Sequence, residues 1–498
     1  MSRTPFLGAE AYAESRPYRF MPFRFGRLAD QRVLLSNDGG EFAVVSAEEF
    51  ETFVDGTLKV GSPLYLDLKA KLFLAHGPDD VTLRVAASQW RTKKRFLEHG
   101  PKLHIFVPTL RCNQSCGYCQ VSRRDSTQCG VDMAEETASK AIDLMLSAPG
   151  PTVTMEFQGG EPLLAFDRVR WMVETAAERA AAVGKKVNFV ICTNLTVLTE
   201  AHLSFLAQHG IAVSTSLDGP PAIHNRNRPL TGNAAYDHVI ENIRRCQVAL
   251  GPGSVSALMT ATVHSLDHPK AIVDEYVELG LASIFLRELN PYGFAAKSAK
   301  AIGYDVDAFV TFYKQALAYI IELNRQGFGI AEGYAAILLK KILTPFGVGF
   351  VDLQSPTGEG FAVVLYNHDG SVYPSDEARM LAEMGDDTFR MGSVEDAYHS
   401  LFFGKTVQQI AAAGCAESLP GCSDCVFVPY CGADPIRHYR TQGDLIGHRP
   451  TSSFCKKQKA LFEHLFLLLT DGDAELNRIF AGWMVPSRRA MPRPQWLS

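Results

Sequence analysis

Along residues 103–287, short runs of β-branched and aliphatic residues alternate with longer stretches whose apolar positions recur every three or four residues. The runs predict strands at 104–107, 152–157, 187–192, 211–216, 255–262 and 283–287. The stretches between them predict helices at 133–147, 164–184, 199–209, 234–250 and 268–279. Six strands separated by helices read as parallel βα units, which close into a full or partial barrel or spread as an open sheet. In either case reactive groups belong at the C-terminal strand ends.

The flanks carry other patterns. Before residue 100, FRFGRLADQRVLLSNDGGEFAVVS predicts two or three short strands with a turn at Asn37-Asp38-Gly39-Gly40, then helices near 47–55 and 63–74. After 290 come helices at 304–324 and 332–345, a strand pair at 361–374 turning at His368-Asp369-Gly370, and a cysteine-rich segment. The expected organisation is an N-terminal α+β module over 1–95, a core over 100–300, a helical linker over 301–350, a C-terminal domain over 351–475 and a loose Pro- and Arg-rich tail over 476–498. No internal repeat is apparent.

Length agrees with this division, since 498 residues exceed the roughly 250–300 at which a single core stops growing. With 46% hydrophobic and 21% charged residues the composition is globular, and a net charge of -5 gives no general attraction to nucleic acid. The first twenty residues lack the apolar core of a secretory signal, and no run of about 18 apolar residues predicts a membrane span, so a cytoplasmic location is expected. In that compartment eleven cysteines read as metal ligands, redox groups or buried small side chains rather than disulfides. Cys129, Cys192 and Cys246 stand apart and read as buried or inert thiols.

The remaining cysteines form two groups. PTLRCNQSCGYCQ follows the first core strand and gives C-x3-C-x2-C at Cys112, Cys116 and Cys119. Three thiolates so close can wrap one face of a cubane cluster and leave the fourth iron open. The other reading is a zinc site with a distant fourth ligand, but zinc loops favour paired C-x2-C elements and normally complete four ligands.

The C-x3-C-x2-C loop after strand one, with Tyr118 before its last cysteine, resembles the signature of the radical S-adenosylmethionine (SAM) superfamily. Three further elements agree in order: Gly159-Gly160-Glu161-Pro162 after strand two, Thr193-Asn194 after strand three, and Ser216-Leu217-Asp218-Gly219-Pro220 after strand four, with Arg228 beyond. The resemblance implies a partial (β/α)6 barrel, a [4Fe–4S] cluster on the three cysteines and SAM chelated at the open iron. It further implies that the GGEP segment meets the methionine amino group, that Ser216 and Arg228 contact the ribose and carboxylate, and that Leu289 packs on the adenine. The implied chemistry is reductive cleavage of SAM to a 5′-deoxyadenosyl radical, which abstracts a hydrogen atom.

The C-terminal segment GCSDCVFVPYCGADP…SSFC, with Cys422, Cys425, Cys431 and then Cys455, resembles the SPASM iron–sulfur extension of peptide- and protein-maturing radical SAM enzymes. Full extensions hold two auxiliary clusters. Where the cluster nearer SAM usually draws its cysteines, this chain reads Gly358-Glu359-Gly360, Tyr373-Pro374-Ser375 and Pro435. One auxiliary [4Fe–4S] cluster is therefore expected, on Cys422, Cys425, Cys431 and Cys455, with a structural zinc site as the other reading. Cys415 stays unassigned, and Asp376 matches an aspartate that accepts a proton in sulfatase-maturing relatives.

The whole-chain pattern is most similar to the radical SAM maturases of the His-Xaa-Ser system, the HxsB type. That similarity implies a ribosomally made precursor peptide as substrate, a second radical SAM maturase as partner, an electron donor such as flavodoxin or ferredoxin, and a PqqD-like peptide-recognition role for residues 1–95. Other readings are a crosslink-forming peptide maturase, a sulfatase maturase and a non-catalytic iron–sulfur electron carrier. A pure carrier has no need of an open iron or a GGEP segment.

Overall fold

The computed structural model describes residues 18–75 and 81–485. The chain divides into two compact units: residues 1–95 with 341–347 and 420–430, and residues 96–340 with 348–419 and 431–498.

In the first unit β1 (Arg24–Arg27), β2 (Val33–Ser36) and β3 (Phe42–Val45) form an antiparallel sheet with β2 in the middle. The turn expected at Asn37–Gly40 joins β2 to β3, with Gly40 N–H donating to Asn37 O at 2.8 Å. Helix α1 (Ala47–Val54) starts at a capping box in which Ser46 and Glu49 satisfy each other's backbone N–H groups. Helix α2 (Pro63–Ala70) stops short of the expected residue 74, because Phe73 and Leu74, both fully buried, are drawn into the core beside Leu35, Phe53 and Leu68. A further helix, Thr82–Lys94, was not anticipated.

Residues 420–430 belong to this unit, although they were expected in the C-terminal domain. Polar anchors explain the placement: Ser36 Oγ donates to Val426 O at 2.6 Å, Tyr430 OH donates to Gly40 O at 3.2 Å, and Arg24 Nε donates to Ser423 O.

The second unit is built on the predicted strands, here β4 (Leu103–Thr109), β5 (Thr152–Gly159), β6 (Lys186–Cys192), β7 (Ala212–Ser216), β8 (Val255–Thr260) and β9 (Ser283–Arg287). They lie side by side in chain order and all parallel, as short βα connections dictate. The predicted helices between them are present, for example Glu135–Leu146 and Phe166–Ala182, each burying one apolar face.

The sheet is wider than six strands. At one end β10 (Ala331–Glu332) joins β9, because buried Glu332 accepts from Leu286 N–H at 3.1 Å and Ala335 N–H at 2.5 Å. At the other end β11 (Val363–Tyr366) runs parallel to β4, followed by antiparallel β12 (Ser371–Tyr373) and β13 (Gly392–Ser393). The stretch 301–350, expected as a linker, thus supplies a strand to this sheet and the helix Val306–Arg325 to this core. The tail expected from 476 begins as a capped helix, Ala474–Trp483, and 486–498 lie outside the described residues.

Candidate active site

Strand β4 ends at Thr109 and passes the chain into the loop of Cys112, Cys116 and Cys119. The end of β5 holds that loop: Gly160 N–H donates to Thr109 O at 2.9 Å and Glu161 N–H to Arg111 O at 2.7 Å. A Cβ on Gly160 would stand 2.1 Å from Arg111 O, and one on Gly159, whose φ is +121°, would stand 2.4 Å from Thr109 O. These two glycines, which also line the cavity, make room for the backbone of the cysteine loop. Gly160→Ala is expected to unseat the loop at a cost of about 1–3 kcal/mol, measured as iron lost on anaerobic reconstitution.

The three cysteines line a cavity of about 240 Å³ together with Tyr118, Gly159, Gly160, Asn194, Ser216, Arg228 and Asp376. Burial pushes the bare thiols of Cys112 and Cys116 up to about 12. Metal ligation deprotonates such thiols outright, so a bound cluster removes the need for that burial of protonated sulfur. Among the described residues no three His, Cys, Asp or Glu side chains gather at the spacing of a single ion, and the fit to a cluster rests on the donor type and the shared cavity.

Three of the residues expected at SAM do not line this cavity. Glu161 and Pro162 are not in the cavity wall. Buried Glu161 ties two strand ends together, accepting from Thr193 Oγ1 at 2.6 Å, Asn194 N–H at 2.7 Å and Leu163 N–H at 3.1 Å. Burial pushes its carboxyl up to about 7 against the pull of those bonds. Leu289 lies outside too: its N–H donates to Tyr304 OH at 2.8 Å and it lines a separate hollow beside Tyr304.

One residue of the site was quoted in a motif without a role. Asp218, fully buried, accepts from Tyr118 OH at 2.6 Å and Arg228 Nε at 3.2 Å through one oxygen, and from Thr260 N–H at 3.2 Å through the other. The Arg228 guanidinium lies 5.1 Å from the Tyr118 ring centre. Burial opposes the charge on Arg228, but its surroundings, Tyr118 and Asp218 foremost, raise its pKa. Asp218 thus positions a cation at the cavity wall. Asp218→Asn keeps the shape and removes the charge; with hydrogen bonds to charged groups worth about 1.5–3 kcal/mol, the KM for SAM is expected to rise about tenfold or more while iron content holds. An unchanged KM would show that Arg228 needs no such support.

Residues 106–276 match the family model of the Radical SAM superfamily. Residues 106–276 are a radical SAM domain. A cysteine-type anaerobic sulfatase-maturating enzyme of Clostridium perfringens is 23% identical over 370 residues, 71% of this chain and 93% of that protein. An uncharacterized protein of Methanothermobacter thermautotrophicus is 27% identical over 230 residues, 46% of this chain and 81% of that one. Among solved structures, native anSMEcpe with bound AdoMet and Cp18Cys peptide aligns with a TM-score of 0.62 at 20% identity, over 76% of this chain and 99% of that one. Streptococcus suis SuiB bound to precursor peptide SuiA aligns at 0.53 with 14% identity, over 88% and 100%. The radical SAM domain makes this an enzyme that works with a [4Fe–4S] cluster and SAM.

Beyond the radical SAM domain, Asp376 begins the helix Asp376–Ala382, capped by Ser375 Oγ. Two of the positions read as lost cluster ligands meet without thiols: Ser375 Oγ donates to Glu359 Oε1, and neighbouring Thr357 Oγ1 to Glu359 Oε2, each at 3.4 Å. The second cysteine group is shared out, Cys422 and Cys425 falling in the first unit and Cys431 and Cys455 in the second. The first pair sits on a tight turn, Cys425 N–H donating to Cys422 O at 2.9 Å. Cys455 opens the helix Ser453–Thr470, its N–H capped by Ser452 Oγ at 3.2 Å. The cysteine-rich segment has the donor type of an auxiliary cluster. Cys415 Sγ lies 3.6 Å from Glu417 Oε2. Of the isolated cysteines, Cys246 is buried and Cys129 exposed, while Cys192 lines the site cavity.

Proposed function

We propose that this chain matures a ribosomally made precursor peptide by radical chemistry, as the HxsB-type maturase of a His-Xaa-Ser system. One observation carries the reading. Asp376 stands in the wall of both the cysteine cavity and a second cavity of about 390 Å³, so the cysteine cavity adjoins space sized for a substrate side chain.

Cys112, Cys116 and Cys119 would hold the SAM-binding cluster, with Gly159, Gly160, Asn194, Ser216 and Arg228 around SAM. Bound together, cluster and SAM supply a 5′-deoxyadenosyl radical that takes a hydrogen atom from the peptide. Arg228, held by Asp218, orients the SAM carboxylate. Tyr118 backs that guanidinium. Asp376 accepts a proton from the substrate. Cys422, Cys425, Cys431 and Cys455 would hold one auxiliary [4Fe–4S] cluster, a reading that rests on their spacing. The carboxylate–hydroxyl cluster of Glu359, Thr357 and Ser375 supports the absence of another. Residues 1–95 would recognise the precursor by adding a peptide strand to a sheet edge. A flavodoxin or ferredoxin would donate electrons, a second radical SAM maturase would act on the same peptide, and the work would take place in the cytoplasm. No described helix is long and apolar enough to cross a membrane.

The test is anaerobic incubation of the reconstituted protein with SAM, dithionite and a synthetic peptide bearing His-Xaa-Ser repeats. The expected result is 5′-deoxyadenosine release with a peptide-dependent mass change. The extent of likeness to the sulfatase-maturating enzyme favours a second reading, in which a cysteine-containing sulfatase peptide is modified instead. Release of no 5′-deoxyadenosine under any condition would sink both.

A further inference from the structure

The second cavity has an uneven charge. Glu288 is consumed in a closed ion triad, its Oε1 accepting from Arg437 Nη1 at 2.6 Å and from Lys457 Nζ. With the triad counted, the wall carries six carboxylates, Glu156, Glu288, Asp352, Asp376, Glu377 and Asp434, against three cations, Arg287, Arg437 and Lys457. Burial pushes Asp434 up to about 7 and moves Glu156, Asp352 and Glu377 upward as well. Arg437 and Lys457 temper the rise at Asp352 and Asp434, but with two carboxylates in the wall to each cation these groups keep protons that a further cation would displace.

Two independent features point to a ligand. Tyr292 lines the same cavity at 1% exposure, and its hydroxyl, in the field of Asp434 and Glu377, has no hydrogen-bond partner among the described residues. A buried hydroxyl left unpaired is costly unless something arrives to bond it. Part of the wall is aromatic: Phe285 stacks on Phe350 with ring centres 6.2 Å apart, and Tyr334 meets Phe350 edge-on at 5.5 Å. Such a wall accommodates an apolar stem and attracts a cation at its end.

We propose that this chamber receives a positively charged, long-stemmed side chain of the peptide substrate, a guanidinium being the best match to several carboxylates. This rests on the peptide-maturase reading and names the class of residue it accepts. Leu258, Arg287 and Asp376 border both cavities, so the bound side chain lies beside the residue to be modified or is that residue.

The test is a titration of the anaerobic, reconstituted full chain with N-acetyl-Gly-Arg-Gly-amide and with its citrulline counterpart, which keeps the shape and loses the charge. The arginine peptide is expected to bind at least about tenfold more tightly, and Asp352→Asn with Asp434→Asn is expected to erase the difference. Equal affinity of the two peptides for the parent overturns the proposal without need of the variant. So does a preference that survives in a variant whose thermal midpoint shows it folded. Peptide modification with no preference for a cation would defeat this inference and leave the maturase reading standing; arginine selectivity without any peptide modification would do the reverse.

Discussion

Changing Cys112, Cys116 and Cys119 together to Ala is expected to abolish 5′-deoxyadenosine release and to lower iron from about eight to about four per chain. The loss should be complete because no other thiol can take over. Cys192, which shares the cavity and ends β6, is a single thiol and cannot replace three. The residual iron is the informative quantity. About four remaining places a second [4Fe–4S] cluster on the C-terminal cysteines. None remaining would make those cysteines a zinc or thiol site, and about eight remaining from a parent near twelve would mean that Glu359, Thr357 and Ser375 do not mark a lost cluster.

The parallel core was legible because its strands are short apolar runs separated by helices with a clear three-to-four periodicity, and chain order then dictates neighbour order. The additional strands were not. β10 is two residues long, and its pairing depends on Glu332 reaching back to Leu286, a tertiary contact with no periodic trace. Similarly, 420–430 reads as part of a cysteine-rich domain, whereas Ser36, Gly40 and Arg24 hold it from almost 400 residues away.

At the site the same division appears. Cysteine spacing announces its chemistry, since few roles require three thiols in eight residues. The fate of a motif residue depends on what packs around it. Glu161, expected at SAM, also braces two strand ends, and the backbone of Leu289, expected at the adenine, donates to Tyr304 OH. Asp218 lay unremarked within Ser216–Pro220, because a buried carboxylate holding an arginine and a tyrosine from distant segments has no local signature.

Asp376→Asn is expected to leave SAM cleavage in place and to lower modified peptide by about 10²–10⁴-fold, the usual contribution of a positioned proton acceptor. Asp376 faces both cavities, so it can meet a substrate group that also lies near SAM. Its neighbour Glu377, held protonated by burial and by the charge of Asp376 and Asp352, hydrogen-bonds to it. Glu377 thereby orients the Asp376 carboxylate without taking its role. The amide of Asn keeps the size and the bond but cannot accept the proton. The readout is the ratio of modified peptide to 5′-deoxyadenosine: a proton acceptor lost after hydrogen abstraction lets the nucleoside accumulate while product falls. A merely structural role would lower both together, and an unchanged ratio with full activity would remove Asp376 from the reaction.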